Sequence, residues 1–349
     1  MRPHETSVQR ITSLDGVRAV SITIVVLSHL VKWRHISLPL ADSYGTLGVS
    51  VFFVLSGYLI TNLLLQEHER TSAINLRKFY VRRAFRIFPA ALVFLGVAIA
   101  LRWREIHWYH MAAALLYVAN MDTTRPWVFG HLWSLGIEEQ FYLLWPFAVR
   151  KWYRNKTQIL LSVLLATPIF HTILYAFKIQ NGLAASLPIF ADQLAMGCLL
   201  AVLKSRLPEI RRHWALAMLS AAILIPYFPA NTPGRTVFML FLLRPLLDLS
   251  LAGLVLHVIQ FPYRALNWRP VAWLGKISYS IYLWQQLFCS NPTMRLGYSL
   301  LLPVLVCACL SYYLVEQPML RLREILDRKF DFHRIQPRGA DGAVAIQTV

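Results

Sequence analysis

Apolar stretches alternate with short polar or basic connections along almost the whole chain. Ten of these stretches are roughly 17–22 residues long, the length that an α-helix needs to cross the hydrocarbon core of a bilayer. They lie at about 17–34, 45–65, 84–101, 132–149, 158–177, 183–203, 213–229, 236–257, 271–290 and 298–316. A shorter apolar piece at 111–119 is too brief to span and is predicted to be interfacial or re-entrant. The pattern predicts an all-α integral membrane protein with about ten transmembrane helices.

Composition and charge support this interpretation. The chain has 349 residues, of which 57% are hydrophobic and 15% are charged, whereas a soluble domain carries about 25% charged residues. A net charge of +18 would by itself suit nucleic acid. Most Lys and Arg residues, however, fall in alternate connections between the predicted spans, as the positive-inside rule requires. We therefore expect no nucleic-acid partner and place both termini in the cytoplasm.

The predicted organisation has three parts. A cytoplasmic N-terminal segment covers 1–12, a polytopic membrane domain covers 13–320, and a cytoplasmic tail covers 321–349 and is expected to be partly disordered. The four cysteines all lie in apolar spans and lack the spacing of a metal site, so we expect no metal.

The first span contains an ionisable side chain where lipid would not tolerate one. His29 lies eleven residues after Arg18, or roughly 16 Å along a helix. Ionisable groups inside a membrane are costly and by default indicate a functional site with a partner. We interpret His29 as a candidate catalytic group and Arg18 as a charge near the inner face.

The fourth span carries two adjacent carboxylates, Glu138 and Glu139. Counted from the outer helix ends, Glu138 and His29 lie at a similar depth, ~9 Å below the outer boundary. A carboxylate beside an imidazole would make it a better general base, which is one interpretation. In the other, Glu138 or Glu139 pairs structurally with Arg18 or with Arg244.

Several further residues inside the predicted spans or at their edges have structural interpretations, and some also have functional ones. Arg83 and Arg86 share a helix face and suit either membrane anchoring or bidentate phosphate binding. Arg244 and Asp248, four residues apart, can neutralise each other, while Asp192 is expected to pair with Arg18 or Arg244. The small residues of the second span (Gly48, Ser56 and Gly57) are predicted to allow close helix packing.

Together these motifs resemble the acyltransferase-3 family of membrane O-acyltransferases, over about 13–320. The residues that carry the resemblance stand in family order along the chain. They are Leu14-Asp15-Gly16-Val17-Arg18 with His29, the segment from Gly48 to Tyr58, Arg83 with Arg86, Trp133-Ser134-Leu135 leading to Glu138-Glu139-Gln140-Phe141-Tyr142, the segment from Ile277 to Trp284, and Glu316-Gln317-Pro318.

The resemblance implies an enzyme of the bacterial cytoplasmic (inner) membrane. Acyl-CoA, most often acetyl-CoA, would bind from the cytoplasm, and its acyl group would pass to a hydroxyl of a sugar or glycan on the far side. His29 would be the catalytic base or a transient acyl carrier. The other implied site residues are Arg18, Arg83 and Arg86 for the phosphates, Glu138 as an active-site carboxylate, and Asp15, Trp133, Ser134, Glu139, Tyr279, Asp192 and Arg244 in support.

Two positions depart from the family pattern. Many members have a histidine where this chain has Gln285, and often an arginine where it has Phe190. Because the sequence shows no fused extracytoplasmic hydrolase-like domain, we expect the membrane domain to complete transfer alone or to use a separate extracytoplasmic partner. Alternatives are acylation of a secreted small molecule, a transporter of a saccharide-linked substrate, and a catalytically silent scaffold.

Overall fold

The computed structural model describes residues 11–33, 41–179, 186–228, 232–289 and 301–335. These residues form α-helices and short 3₁₀ or π turns, with no strand among them. The helices are α1 (Thr12–Trp33), α2 (Ala41–Thr71), α3 (Leu76–Arg102), α4 (Trp108–Leu115), α5 (Leu132–Lys151), α6 (Lys156–Ala176), α7 (Leu187–Leu203), α8 (Arg212–Leu224), α9 (Pro233–Phe238), α10 (Arg244–Gln260), α11 (Arg269–Lys276), α12 (Ser278–Phe288), α13 (Leu301–Ser311) and α14 (Gln317–Ile335). The all-α prediction is thereby confirmed for the described part of the chain.

Six helical stretches within the described residues are long and apolar enough to cross a membrane. They are Thr12–Leu30, Tyr44–Thr71, Leu76–Arg102, Tyr153–Ala176, Pro233–Gln260 and Leu301–Asp327. The other predicted spans are helical, but they are too short or too polar to be counted among these six stretches. The helix α5 carries Glu138, Glu139 and two terminal cations, α7 and α8 are short, and Ile277 separates α11 from α12. The count of ten and the sidedness of the termini stay predictions.

The ends of the predicted domains are only partly described. The predicted tail begins inside α14, which continues as a helix to Ile335. The expected disorder after Arg338, most of the N-terminal segment and the polar connection 291–297 lie outside the described residues. The short apolar piece predicted at the membrane interface becomes α4, which exposes Trp108 and Tyr109.

Small residues bring the central helices into close contact, as the sequence predicted. A Cβ atom on Gly57 of α2 would collide with the backbone of Leu194 in α7, and one on Gly197 of α7 would collide with the carbonyl of Val54. Gly48 lies in the same way against the backbone of Ser21 in α1. Backbone contact of this kind replaces side-chain packing where the apolar environment provides no hydrophobic driving force.

Replacing Gly197 with alanine should therefore destabilise the protein by about 1–3 kcal/mol, because neither backbone can yield without shifting α2 against α7. Gly96 in α3 is the matched control, since no atom lies within 4 Å of its Cβ position. Gly96→Ala should be neutral or slightly stabilising. Thermal unfolding in detergent tests the pair, and equal melting temperatures for the two variants would contradict the packing described here.

Five helices, α1, α2, α3, α5 and α12, surround the space in which most of the predicted site residues meet. Two further long apolar stretches, Pro233–Gln260 and Leu301–Asp327, are each interrupted by one π turn. The π turns are Met239–Leu243 before α10 and Tyr312–Glu316 before α14. The first π turn ends directly before Arg244 and the second ends at Glu316. Arg244 pairs with Asp192, and Glu316 accepts a hydrogen bond from Ser280. Both groups therefore lie next to π turns, which are frequent at functional sites.

Candidate active site

Six of the predicted site residues line one cavity between α1, α2, α3, α5 and α12. The cavity has a volume of about 700 Å³ including its open mouth. The predicted residues that line it are Arg18, Arg83, Arg86, Ser134, Glu138 and Tyr279. We call this space the arginine cavity. It brings together predicted site residues that are up to 261 positions apart in sequence (Arg18 and Tyr279).

Three guanidinium groups and a single carboxylate line the arginine cavity, which gives it a positive balance. Arg83 stacks on the ring of Tyr142, with its Cζ atom 4.1 Å from the ring centroid. Like charges converging in a membrane interior are unfavourable unless an anion joins them. The cavity therefore has the electrostatics of a site for a phosphorylated ligand.

A short chain of hydrogen bonds holds Glu138 in the arginine cavity. The Tyr142 hydroxyl donates to Ser56 Oγ at 3.0 Å, and Ser56 donates to Glu138 Oε1 at 2.5 Å. Tyr279 is fixed in a similar way, because its hydroxyl donates to the carbonyl of Ile87 at 2.9 Å. These contacts orient the cavity wall without using the arginines.

His29 lines a second cavity, which we call the imidazole cavity. It encloses about 1060 Å³ including its open mouth, and Trp133 is the other predicted site residue on its wall. The Oε1 atom of Gln285 lies 3.2 Å from His29 Nδ1. With the amide oxygen of Gln285 facing the ring, Nδ1 donates the hydrogen bond and Nε2 is the basic nitrogen of the neutral imidazole.

The two cavities adjoin, because Val49 and Tyr282 line both of them. Arg18 and His29 on α1 mark the two levels, about 16 Å apart along the helix. Glu138 lies with the arginines, and Oε1 of Gln285 is a hydrogen-bond partner of His29 Nδ1. A carboxylate–imidazole pair stays a prediction. Glu138 points toward Ser56 of α2 and lines the cavity that contains Arg18, and its depth relative to His29 stays a prediction.

The loop between α4 and α5 forms one wall of the imidazole cavity through Arg125 and Trp127. Asp122 organises this loop by accepting hydrogen bonds from His110 Nδ1 at 2.6 Å and from Thr124. Burial raises the pKa of the Asp122 carboxyl, but these hydrogen bonds outweigh burial and leave the pKa below its ordinary value. Arg125 in turn donates to the carbonyl of Asp122 at 2.6 Å, which positions its guanidinium at the cavity.

The remaining predicted residues line neither cavity. Arg244 donates two hydrogen bonds to the carboxylate of Asp192, from Nε to Oδ2 at 2.6 Å and from Nη2 to Oδ1 at 3.2 Å. Of the two arginines expected for Asp192, the structure therefore selects Arg244. Phe190 lies between this pair and the site, with Arg244 over its ring at 5.7 Å and Trp133 at 4.9 Å. The Asp192–Arg244 pair therefore supports the wall of the imidazole cavity from behind.

Asp15 and Glu139 also lie behind the lining. Asp15 is buried in the first turn of α1, and its backbone packs against Gly275 of α11. It attracts Arg18, three residues later on the same helix face. Glu139 follows Glu138 but points to another side of α5, as adjacent helical residues must.

Sequence reasoning missed several residues that build the two cavities. Ser56 was assigned to helix packing, yet it bonds Glu138, and Tyr282 had no assigned role although it separates the cavities. His131, Arg125 and Trp127 also escaped assignment. Only their position in motif-rich segments could have indicated them, because contacts between distant helices have no sequence period.

Within the described bundle of apolar helices, a positively charged cavity adjoins a cavity lined by an imidazole. Comparison with known proteins identifies the family of the chain. The sequence pattern of the Acyltransferase domain family matches residues 11–315. The chain belongs to this family, the acyltransferase-3 family. No solved structure matches the chain significantly.

Similar bacterial proteins have related names. The chain is 30% identical to YrhL of Bacillus subtilis (strain 168), a candidate peptidoglycan O-acetyltransferase, over 90% of this chain and 56% of the relative. It is 30% identical to the peptidoglycan O-acetyltransferase OatA of Listeria monocytogenes, over 78% of this chain and 48% of OatA. It is 29% identical to the O-acetyltransferase OatA of Staphylococcus aureus, over 78% of this chain and 49% of that protein. The chain thus spans about half the length of these relatives.

Proposed function

We propose that this protein transfers an acyl group, most simply acetyl, from acyl-CoA to a hydroxyl of a glycan acceptor outside the cytoplasm. The observation that carries the proposal is the junction of the arginine cavity with the imidazole cavity at Val49 and Tyr282. An anionic donor and a basic nitrogen are thereby held in adjoining spaces. The relatives' names, which include peptidoglycan O-acetyltransferase, support the acyl group and the acceptor class.

The donor side of the proposal rests on charge. Arg18, Arg83 and Arg86 face one carboxylate, so the cavity favours a ligand with several negative charges. Coenzyme A carries phosphates at one end and a long, flexible thiol arm at the other. With the phosphates near the arginines, the arm would extend past Tyr282 toward His29. The donor would enter from the cytoplasm if the predicted sidedness holds.

The acceptor side rests on His29. Its Nε2 atom takes the proton of the attacking hydroxyl while the hydroxyl oxygen forms a bond to the thioester carbon. The carbon–sulfur bond then breaks, and the departing thiolate receives the proton from the imidazolium. The products are an O-acyl sugar and free CoA, and general-base assistance of this kind contributes typically about 10²–10⁴-fold.

The imidazole cavity has suitable chemistry for a sugar. Trp127 and Trp133 provide flat apolar surfaces, and Arg125 provides hydrogen-bond donors. We place the protein in the bacterial cytoplasmic membrane as a multi-pass enzyme in contact with the lipid bilayer. A separate extracytoplasmic partner that receives the acyl group is a further element of the proposal.

Gln285 is proposed to fix the imidazole of His29, a role independent of acid–base chemistry of its own. Gln285→Leu keeps a similar volume but removes the Nδ1 partner, and we expect kcat to fall roughly a hundredfold. Gln285→Glu, which can still accept from Nδ1, should retain most of the activity. Gln193→Leu replaces another buried glutamine, in α7, and serves as the control. Equal kcat for Gln285→Leu and Gln193→Leu would contradict the role.

The proposed function is tested in cells by mass spectrometry of surface glycans. Cells with the wild-type protein should carry acetyl esters that disappear on deletion and return on complementation, but not with His29→Ala. A transporter would instead move its substrate without any acyl donor and would give unmodified glycans. Esters that are independent of this protein would exclude the proposal.

A further inference from the structure

His131 is a buried imidazole whose nitrogens have no assigned task. It is 2% exposed and precedes α5 directly. Neither ring nitrogen has a hydrogen-bond partner among the described residues. Buried polar groups are nearly always satisfied, and an exception needs an explanation such as a ligand.

The other histidines in the interior of the described structure are bonded. His257 uses both ring nitrogens, with Nδ1 2.7 Å from the Ile210 carbonyl and Nε2 2.6 Å from the Tyr263 hydroxyl. His171 Nε2 lies 2.8 Å from the carbonyl of Ile189. These are the contacts of structural histidines, and they show by contrast that His131 is not held in that way.

His131 is held instead through its backbone and its ring faces. Its carbonyl accepts hydrogen bonds from the Tyr282 hydroxyl at 3.0 Å and from Ser134 Oγ at 3.2 Å. Its ring meets Phe94 and Tyr282 edge-on, with centroids 5.2 and 5.4 Å apart. The ring is therefore fixed in place while its nitrogens stay unused.

The location of His131 identifies the ligand class. It lines the imidazole cavity together with His29, Trp127 and Trp133. A neutral imidazole offers one donor and one acceptor, which matches a hydroxyl group or two neighbouring hydroxyl groups. The cavity thus combines flat aromatic walls, a base and an unsatisfied hydrogen-bonding ring, which together fit a polyhydroxylated sugar.

We propose that His131 binds the acceptor sugar through hydroxyls adjacent to the one that His29 deprotonates. This inference rests on the proposed function and adds to it the part of the site that recognises the acceptor. The donor binds elsewhere, so His131 should affect acceptor binding alone.

The test compares the wild-type protein with His131→Phe and His131→Asn. Binding of the disaccharide N-acetylglucosamine–N-acetylmuramic acid is measured by calorimetry in detergent, without acetyl-CoA. His131→Phe keeps the ring contacts but loses both nitrogens, so its affinity for the disaccharide should fall about tenfold or more. His131→Asn restores one donor and one acceptor and should recover part of that loss. Acetyl-CoA affinity should be the same in all three proteins.

The melting temperature of His131→Phe distinguishes ligand binding from a structural role of His131, because the two roles predict opposite changes. Replacing an unsatisfied buried ring with Phe should leave the melting temperature of the free protein equal or higher. In the control, His257→Phe should lower the melting temperature and leave disaccharide binding unchanged, because that ring loses two hydrogen bonds.

Three results would overturn the inference: unchanged disaccharide affinity in His131→Phe, a lowered melting temperature together with an equal loss of acetyl-CoA binding, or no binding of the disaccharide by the wild-type protein. Disaccharide binding that depends on His131 but is never followed by acetyl transfer would overturn the proposed function alone.

Discussion

Replacing His29 with alanine should reduce acyl transfer about a thousandfold or more while leaving acyl-CoA binding intact. The imidazole lines the cavity proposed for the acceptor, and Gln285 holds its Nδ1 atom so that Nε2 is the basic nitrogen. Among the described residues, His131 is the other imidazole that lines this cavity, and it is assigned to acceptor binding. Because the loss affects a group that acts in the transition state, it should appear in kcat rather than in the KM for acyl-CoA.

The matched control for His29→Ala is His171→Ala. His171 is another imidazole of the bundle interior, but its Nε2 atom is bonded to the Ile189 carbonyl and it lines neither cavity. Its removal should lower the amount of folded protein without changing specific activity. Quenching the wild-type reaction before acceptor is added distinguishes a base from an acyl carrier, since only a carrier would leave labelled acetyl on His29. Full activity of His29→Ala would refute the assignment.

The second large effect is expected at the arginine cavity. Arg83→Ala and Arg86→Ala should each weaken acetyl-CoA binding about 10- to 100-fold, the cost of losing a hydrogen bond to a charged group. Arg83→Lys and Arg86→Lys should recover only part of the affinity, because an ammonium lacks the planar fork of guanidinium. Calorimetric titration of acetyl-CoA in detergent measures these differences directly.

Arg82 provides the control for both substitutions. It is adjacent to Arg83 on α3 but does not line the arginine cavity, and its Nε atom lies 3.4 Å from Asp327 of α14. Arg82→Ala should therefore bind acetyl-CoA with wild-type affinity. If Arg83→Ala and Arg86→Ala also bind with wild-type affinity, the cluster anchors the protein at the membrane and does not hold the donor.

Much of the fold was predictable because its causes are local. Apolar length predicts helices, so α1, α2, α3 and α6 were expected where they occur. Helical rise also gave the separation between Arg18 and His29. Small side chains in α2 correctly indicated close packing, since only glycine allows the backbone of α7 to lie against Gly57.

The partners of the site residues were not predictable, because the rotation of each helix about its axis depends on tertiary packing. Glu138 was placed at the depth of His29, but α5 turns it toward Ser56 and the arginines. Gln285 was taken only as a departure from the family, yet it contacts His29 across 256 positions. Asp192 had two candidate arginines, and only the fold selects Arg244.

The central claim is that the protein itself moves an acyl group from coenzyme A to a sugar hydroxyl. The most direct measurement incubates the purified protein with acetyl-CoA labelled in its acetyl group and with the N-acetylglucosamine–N-acetylmuramic acid disaccharide, and then analyses the sugar by mass spectrometry. We expect labelled acetyl ester on the disaccharide and free CoA in equal amount, and neither product with His29→Ala. Intact acetyl-CoA and unmodified sugar after incubation with well-folded wild-type protein would contradict the claim.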